Sequence, residues 1–124
     1  MGVSCDDIDA SQAKGTKVIV THGTDTMIES AAYVAARGVA DKKCVVFTGS
    51  MKPERFYDSD APFNIGCAVG ASSLLNRGAY VCMNGVVMPH ESCVRDGESG
   101  LFLQKADPEG VTTTTVTTTT IKGA

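Results

Sequence analysis

Short apolar runs alternate with longer stretches of helical period over most of this chain. Val18-Ile19-Val20, Cys44 to Thr48 and Ala79 to Met83 are β-branched or apolar runs of strand length. Between the first two, Met27 to about Arg37 reads as a helix closed by Gly38. Between the second and third, Ala61 to about Leu75 reads as another helix, ended near Asn76-Arg77-Gly78. Pro62 suits its first turn, where a missing N–H costs little. Strand and helix alternating in this way predict an α/β fold, a parallel sheet joined by right-handed crossovers. Past Met83 the pattern weakens, and Val86-Val87-Met88 and Leu101-Phe102-Leu103 read as short strands or packing segments.

Both ends of the chain fall outside this alternation. Residues 1–15 are mostly polar and show no clear period, and residues 105–124 run through Asp107-Pro108-Glu109-Gly110 into a threonine-rich tail. Eight threonines around Val116 bury little apolar surface, so a disordered tail is the default expectation. Their β-propensity leaves open an added strand on a partner's sheet. The expected folded unit is residues 16–104.

Composition narrows the function. With 124 residues the chain makes one small domain, and 43% hydrophobic residues allow a modest core. A net charge of -3 without a basic cluster argues against nucleic acid as the main partner. No apolar run has the length of a membrane span, and the N-terminus lacks the basic and apolar regions of a secretory signal, so an intracellular protein is expected. Cys5, Cys44, Cys67, Cys82 and Cys93 form no Cys-x-x-Cys pair, and His22 and His90 stand far apart. That pattern argues against zinc and against a disulfide framework, and no metal or cofactor is expected. Cys44, Cys67 and Cys82 lie in apolar stretches as small core residues, which suits a reducing compartment.

The candidate chemistry sits where the first strand meets the first helix. His22-Gly23 breaks the strand, and Thr24, Asp25 and Thr26 follow. Open α/β sheets place ligands at such strand ends, where a hydroxyl beside a carboxylate can position a water or relay a proton. The same residues also suit a helix start. Asp25 or Thr24 reads as an N-cap, and Thr26 with Glu29 has capping-box spacing.

Thr21-His22-Gly23-Thr24-Asp25-Thr26-Met27 resembles the second signature of the bacterial-type L-asparaginases. Val45 to Pro53, with Gly49-Ser50-Met51-Lys52-Pro53 at its end, resembles that family's next strand and its Gly-x-Met-x-Pro loop. Asp60 to Val69 is similar to its next helix, notably in short single-domain asparaginase-like proteins, and Asn76 to Gly85 to the following strand. The resemblance covers about Lys14 to Gln104. It implies a three-layer, flavodoxin- or Rossmann-like sheet, a truncated form of the N-terminal domain of L-asparaginase. It also implies a crevice at three strand ends, with Thr24 and Asp25 in the catalytic apparatus and Asp25 and Ser50 contacting asparagine or aspartate. In the family a threonine hydroxyl attacks the side-chain amide, and ammonia and aspartate are released.

Two departures temper that scheme. The family's first signature, a Thr-Gly-Gly-Thr that carries the nucleophile, has no counterpart in this sequence. The family's catalytic lysine falls on Arg95, or on Asp96 if one residue is inserted. Arginine keeps the charge but does not give up its proton. Without the nucleophile-bearing strand, Val18-Ile19-Val20 is expected to be an apolar edge covered by a copy of the chain, another chain or the tail. The expectation is a catalytically impaired asparaginase-like domain, a pseudoenzyme serving as a structural or interaction subunit of an oligomer. The alternatives are an amidohydrolase completed by a partner chain, and an amino-acid-binding module.

Overall fold

The computed structural model describes residues 17–53 and 55–105. The polar N-terminal segment and the threonine-rich tail lie outside the described residues, as does the expectation of a disordered tail or added strand. Three strands run in the expected places: β1, Lys17–Thr21; β2, Cys44–Thr48; and β3, Gly78–Met83. They pair in parallel, with β2 in the middle and all five of its residues buried. A central strand covered on both sides has no polar face, which is why Cys44-Val45-Val46-Phe47-Thr48 shows no alternation.

Helix α1, Met27–Ala36, follows β1, and helix α2, Ala61–Ser72, precedes β3. Gly38 closes α1 in the left-handed conformation, φ 78°, its N–H donating to the Ala35 carbonyl. Pro62 lies in the first turn of α2, as its chemistry requires.

The alternating residues of β2 sort the helices onto two faces. Val45 and Phe47 pack with Met27, Ala31 and Val34 of α1, and with Val20, Val81 and Met83. Cys44 and Val46 pack with Ala68 of α2 and with Cys82. The result is three layers, helix on sheet on helix. It also corrects the expected handedness. The strands step in one direction, β1 to β2 to β3, while their connecting helices lie on opposite faces. Two such crossovers have opposite hands, so one of them is left-handed. The difference of hand follows from the face each helix packs against, α1 on the Val45 and Phe47 side and α2 on the Cys44 and Val46 side.

The sheet is mixed rather than purely parallel. A fourth strand, β4, Val86–Pro89, pairs antiparallel with β3 through the turn Asn84-Gly85. Both turn residues are left-handed, φ 55° and 80°, as a two-residue type I′ hairpin demands. Beyond it, β5, Cys93–Arg95, and β6, Phe102–Gln104, form a separate antiparallel hairpin. Phe102 and Cys93 bury themselves in the α1-side core. Strand β1 is an edge of the described sheet, with Val18 and Ile19 half-buried and Val20 buried. No helix among the described residues is long and apolar enough to cross a membrane.

Helix α2 buries its small residues and exposes its large ones. Ala61, Asn64, Ala68 and Ser72 face inward, while Phe63 and Val69 are more than half exposed. Leu74, just past its end, is almost fully exposed.

Candidate functional site

The carboxyl ends of the three parallel strands converge. At the first two, the His22 N–H donates to the Thr48 carbonyl at 2.8 Å, and Gly49 lies so close that a Cβ there would stand 2.2 Å from the His22 carbonyl oxygen. Only glycine permits that approach. The third strand end is tied in through Asn64 of α2. Its Nδ2 donates to the Gly49 carbonyl at 2.9 Å, and its Oδ1 accepts the Asn84 N–H at 3.1 Å. Between the first two ends lies a cavity of about 400 Å³. Thr21, His22 and Gly23 form one wall and Gly49 and Ser50 the other, over Ala61 and Ile65.

His22 is held rigidly. Its Nδ1 is 2.7 Å from the Gly23 carbonyl oxygen, which can only accept, so Nδ1 carries a proton. In the neutral ring Nε2 then accepts from the Ser30 hydroxyl at 2.9 Å. The imidazole meets Phe47 edge-on, with ring centroids 6.0 Å apart.

Thr24 and Asp25 follow directly, beside the crevice rather than in its walls. The carboxylate of Asp25 is 96% exposed, and its Oδ1 accepts from Arg95 Nη1 at 2.9 Å. Arg95 is anchored from β5 by an Nε–H bond to the Gly100 carbonyl at 3.1 Å and by its guanidinium above Phe102, 5.5 Å from the ring centroid. Of the two positions read for the family's lysine, the geometry thus brings Arg95 to Asp25. Asp96 turns instead into its own loop, accepting the N–H and hydroxyl of Ser99. Those bonds hold its carboxyl below the usual range.

The capping reading does not hold in its side-chain form. Thr26 occupies the N-cap position of α1 without a side-chain cap bond, and the Asp25 carboxylate is committed to Arg95. The loop after β2, which carries Ser50, is fixed by Asp60, whose two oxygens accept the N–H groups of Met51 and Lys52 at 2.9 and 3.0 Å. Burial pushes the Asp60 carboxyl up, but these bonds and the Asn64 amide outweigh it and leave it below its ordinary value. Asn64 and Asp60 carry no family-signature role in the sequence reading. The signal for Asn64 was an amide within the otherwise small inward stripe of α2.

A larger cleft, about 630 Å³, opens at the other end of β3, beside Arg77, Tyr80 and His90. It is remote from Thr24, Asp25 and Ser50. Among the described residues no group of three or more His, Cys, Asp or Glu side chains is arranged to hold a metal ion. Cys44, Cys67, Cys82 and Cys93 are free thiols, with Cys67 only half-buried.

The fold is an open α/β sheet with a crevice at its strand ends, walled by Thr21-His22-Gly23 and Gly49-Ser50, with Thr24 and Asp25 beside it. The family model described as asparaginase, N-terminal, matches residues 5–98, and the chain belongs to the asparaginase family. It is 40% identical over 73 residues to L-asparaginase 2 of Escherichia coli, a match covering 56% of this chain and 21% of that protein. It is 41% identical over 68 residues to a glutamyl-tRNA(Gln) amidotransferase component from Archaeoglobus fulgidus, covering 55% and 16%. In structure it resembles a probable cytoplasmic L-asparaginase from Campylobacter jejuni, with TM-score 0.54 and 29% identity over 64% of this chain and 25% of that one. The matches thus span roughly a fifth of the length of the curated relatives.

Proposed function

We propose that this asparaginase-like domain is impaired in amide hydrolysis and serves as an interaction subunit of a larger assembly, keeping a crevice for the amino-acid part of asparagine or aspartate. The observation that carries this reading is the Arg95 guanidinium on the Asp25 carboxylate. By family resemblance a lysine belongs there, able to share a proton with the groups that activate nucleophile or water. A guanidinium stays charged at any working pH and donates without giving up its proton. Asp25 therefore keeps an electrostatic partner but loses a proton carrier. The assembly role is supported by the exposed Phe63, Val69 and Leu74 and by the β1 edge, surfaces of the kind that partners cover. Free thiols, three of them buried, suit an intracellular setting.

A second reading is an amidohydrolase completed by a nucleophile from another segment or chain. The retained crevice favours it, and so does the likeness to a protein named as part of an amidotransferase. Ammonia release from L-asparagine by the purified chain, beside Asp25→Ala, separates the two. The expected result is no release, with particles larger than a monomer in light scattering. Release that Asp25→Ala abolishes would overturn the impaired reading, and a stable monomer would overturn the assembly.

A further inference from the structure

We infer that Asn64 is the positioning residue of the crevice: its amide sets where the Gly49–Ser50 wall and the Asn84 turn stand relative to the His22 wall. The inference rests on the reading of this crevice as the ligand site.

Asn64 is fully buried, and its hydrogen-bonding groups are spent on the rim. One Nδ2 hydrogen goes to the Gly49 carbonyl and the other to Asp60 Oδ2, each at 2.9 Å, while Oδ1 takes the Asn84 N–H at 3.1 Å. No apolar residue of that size satisfies a carbonyl, a carboxylate and an N–H together. A buried polar side chain is costly unless fully paired, and here the pairing joins three separate pieces of backbone. Asp60 extends the brace to the Met51 and Lys52 N–H groups, and Ser59 Oγ adds a bond to the Lys52 carbonyl at 2.7 Å.

The brace has a direction. With its carbonyl drawn to Asn64, the Gly49–Ser50 peptide is held in one orientation, and a trans peptide then points the Ser50 N–H the opposite way. Gly49 is at the same time pressed against the His22 carbonyl, so the wall can retreat only by breaking the Asn64 bond. Asn64 itself is absent from the crevice lining. It acts through Gly49, Ser50 and Asn84.

The test compares the full chain with Asn64→Ala and with Thr48→Val, a control in the same buried region that loses the 2.7 Å bond from Thr48 Oγ1 to the Cys82 carbonyl. Amide hydrogen exchange and calorimetric titration with L-aspartate are read on each. In Asn64→Ala, exchange at Asn84, Met51 and Lys52 is expected to rise by about tenfold or more, and aspartate affinity to fall by a similar factor, while Val45 and Val46 stay protected. Thr48→Val is expected to lower stability without moving either readout. Unchanged exchange at Asn84 in folded Asn64→Ala, or the same loss of affinity in Thr48→Val, overturns the inference. If Asn64→Ala does not fold, Asp60→Asn replaces it, with faster exchange at Met51 and Lys52 expected and wild-type rates there overturning the brace. If the unmodified chain binds no aspartate, the ligand reading fails, and the exchange measurements still decide the role of Asn64.

Discussion

Cutting the Asp25–Arg95 pair from its two sides should have unequal effects. The Asp25 carboxylate is 96% exposed and the Arg95 side chain 29%, so the 2.9 Å contact lies largely in water. Exposed ion pairs are worth about 0–1 kcal/mol, and Asp25→Ala is expected to cost no more than about 0.5 kcal/mol of stability. Arg95→Ala removes more: the Nε–H bond to the Gly100 carbonyl, the cation over Phe102 and the packing of the side-chain stem. These terms sum to about 1–2 kcal/mol. A double-mutant cycle in urea, followed by circular dichroism, should give a coupling within about 1 kcal/mol that fades in high salt. A coupling above about 2 kcal/mol, or an Asp25→Ala loss larger than that of Arg95→Ala, would refute the reasoning. The consequence for function is direct. On the proposed function, a weakly held carboxylate can be taken over by a ligand's ammonium at little cost, so an Arg95 that withholds its proton would still leave Asp25 open to recognition.

Two further outcomes follow from the same geometry. Gly49→Ala forces a Cβ to 2.2 Å from the His22 carbonyl oxygen and 3.0 Å from Met27 Cε, and should lower stability by about 2–4 kcal/mol; an unchanged thermal midpoint would contradict the close approach. Burial, with the nearby Cys67 thiol, raises the Cys82 pKa from 9.0 to about 11, so above pH 9.0 the unfolded chain releases a proton that the folded chain still holds. The contribution of Cys82 is thus complete below pH 9.0 and lost as pH rises toward about 11, a decline that reduced protein should show in urea titrations and that Cys82→Ala should flatten.

The elements were legible because each rests on a local signal. The apolar run Cys44 to Thr48 marks a strand covered on both faces, Gly38 marks a helix end, and Pro62 marks a helix start. Asn84-Gly85 carries a hairpin signal as well as a strand end, and it turns β4 back antiparallel to β3. The hand of the crossovers was not legible. It depends on which face of the sheet each helix packs against, a contact between distant segments that no local pattern encodes.

The site shows the same division between local and distant information. Thr24 and Asp25 lie in one contiguous motif, and the glycine that lets β1 and β2 close together sits in another. Their partners are distant: Arg95 is seventy residues from Asp25, and Asn64 is twenty from Asn84 and fifteen from Gly49. Family resemblance could align Arg95 with a lysine, but only the path of β5 brings its guanidinium to the carboxylate. For Asn64 the composition of the stripe Ala61, Asn64, Ala68, Ser72 was itself the clue. An amide among small inward residues has to be paid for by hydrogen bonds, and a helix start beside the ends of β2 and β3 offers a backbone group from each. The polar residue that looked like an interruption of the core is the one that ties the Gly49 wall of the crevice to the Asn84 turn.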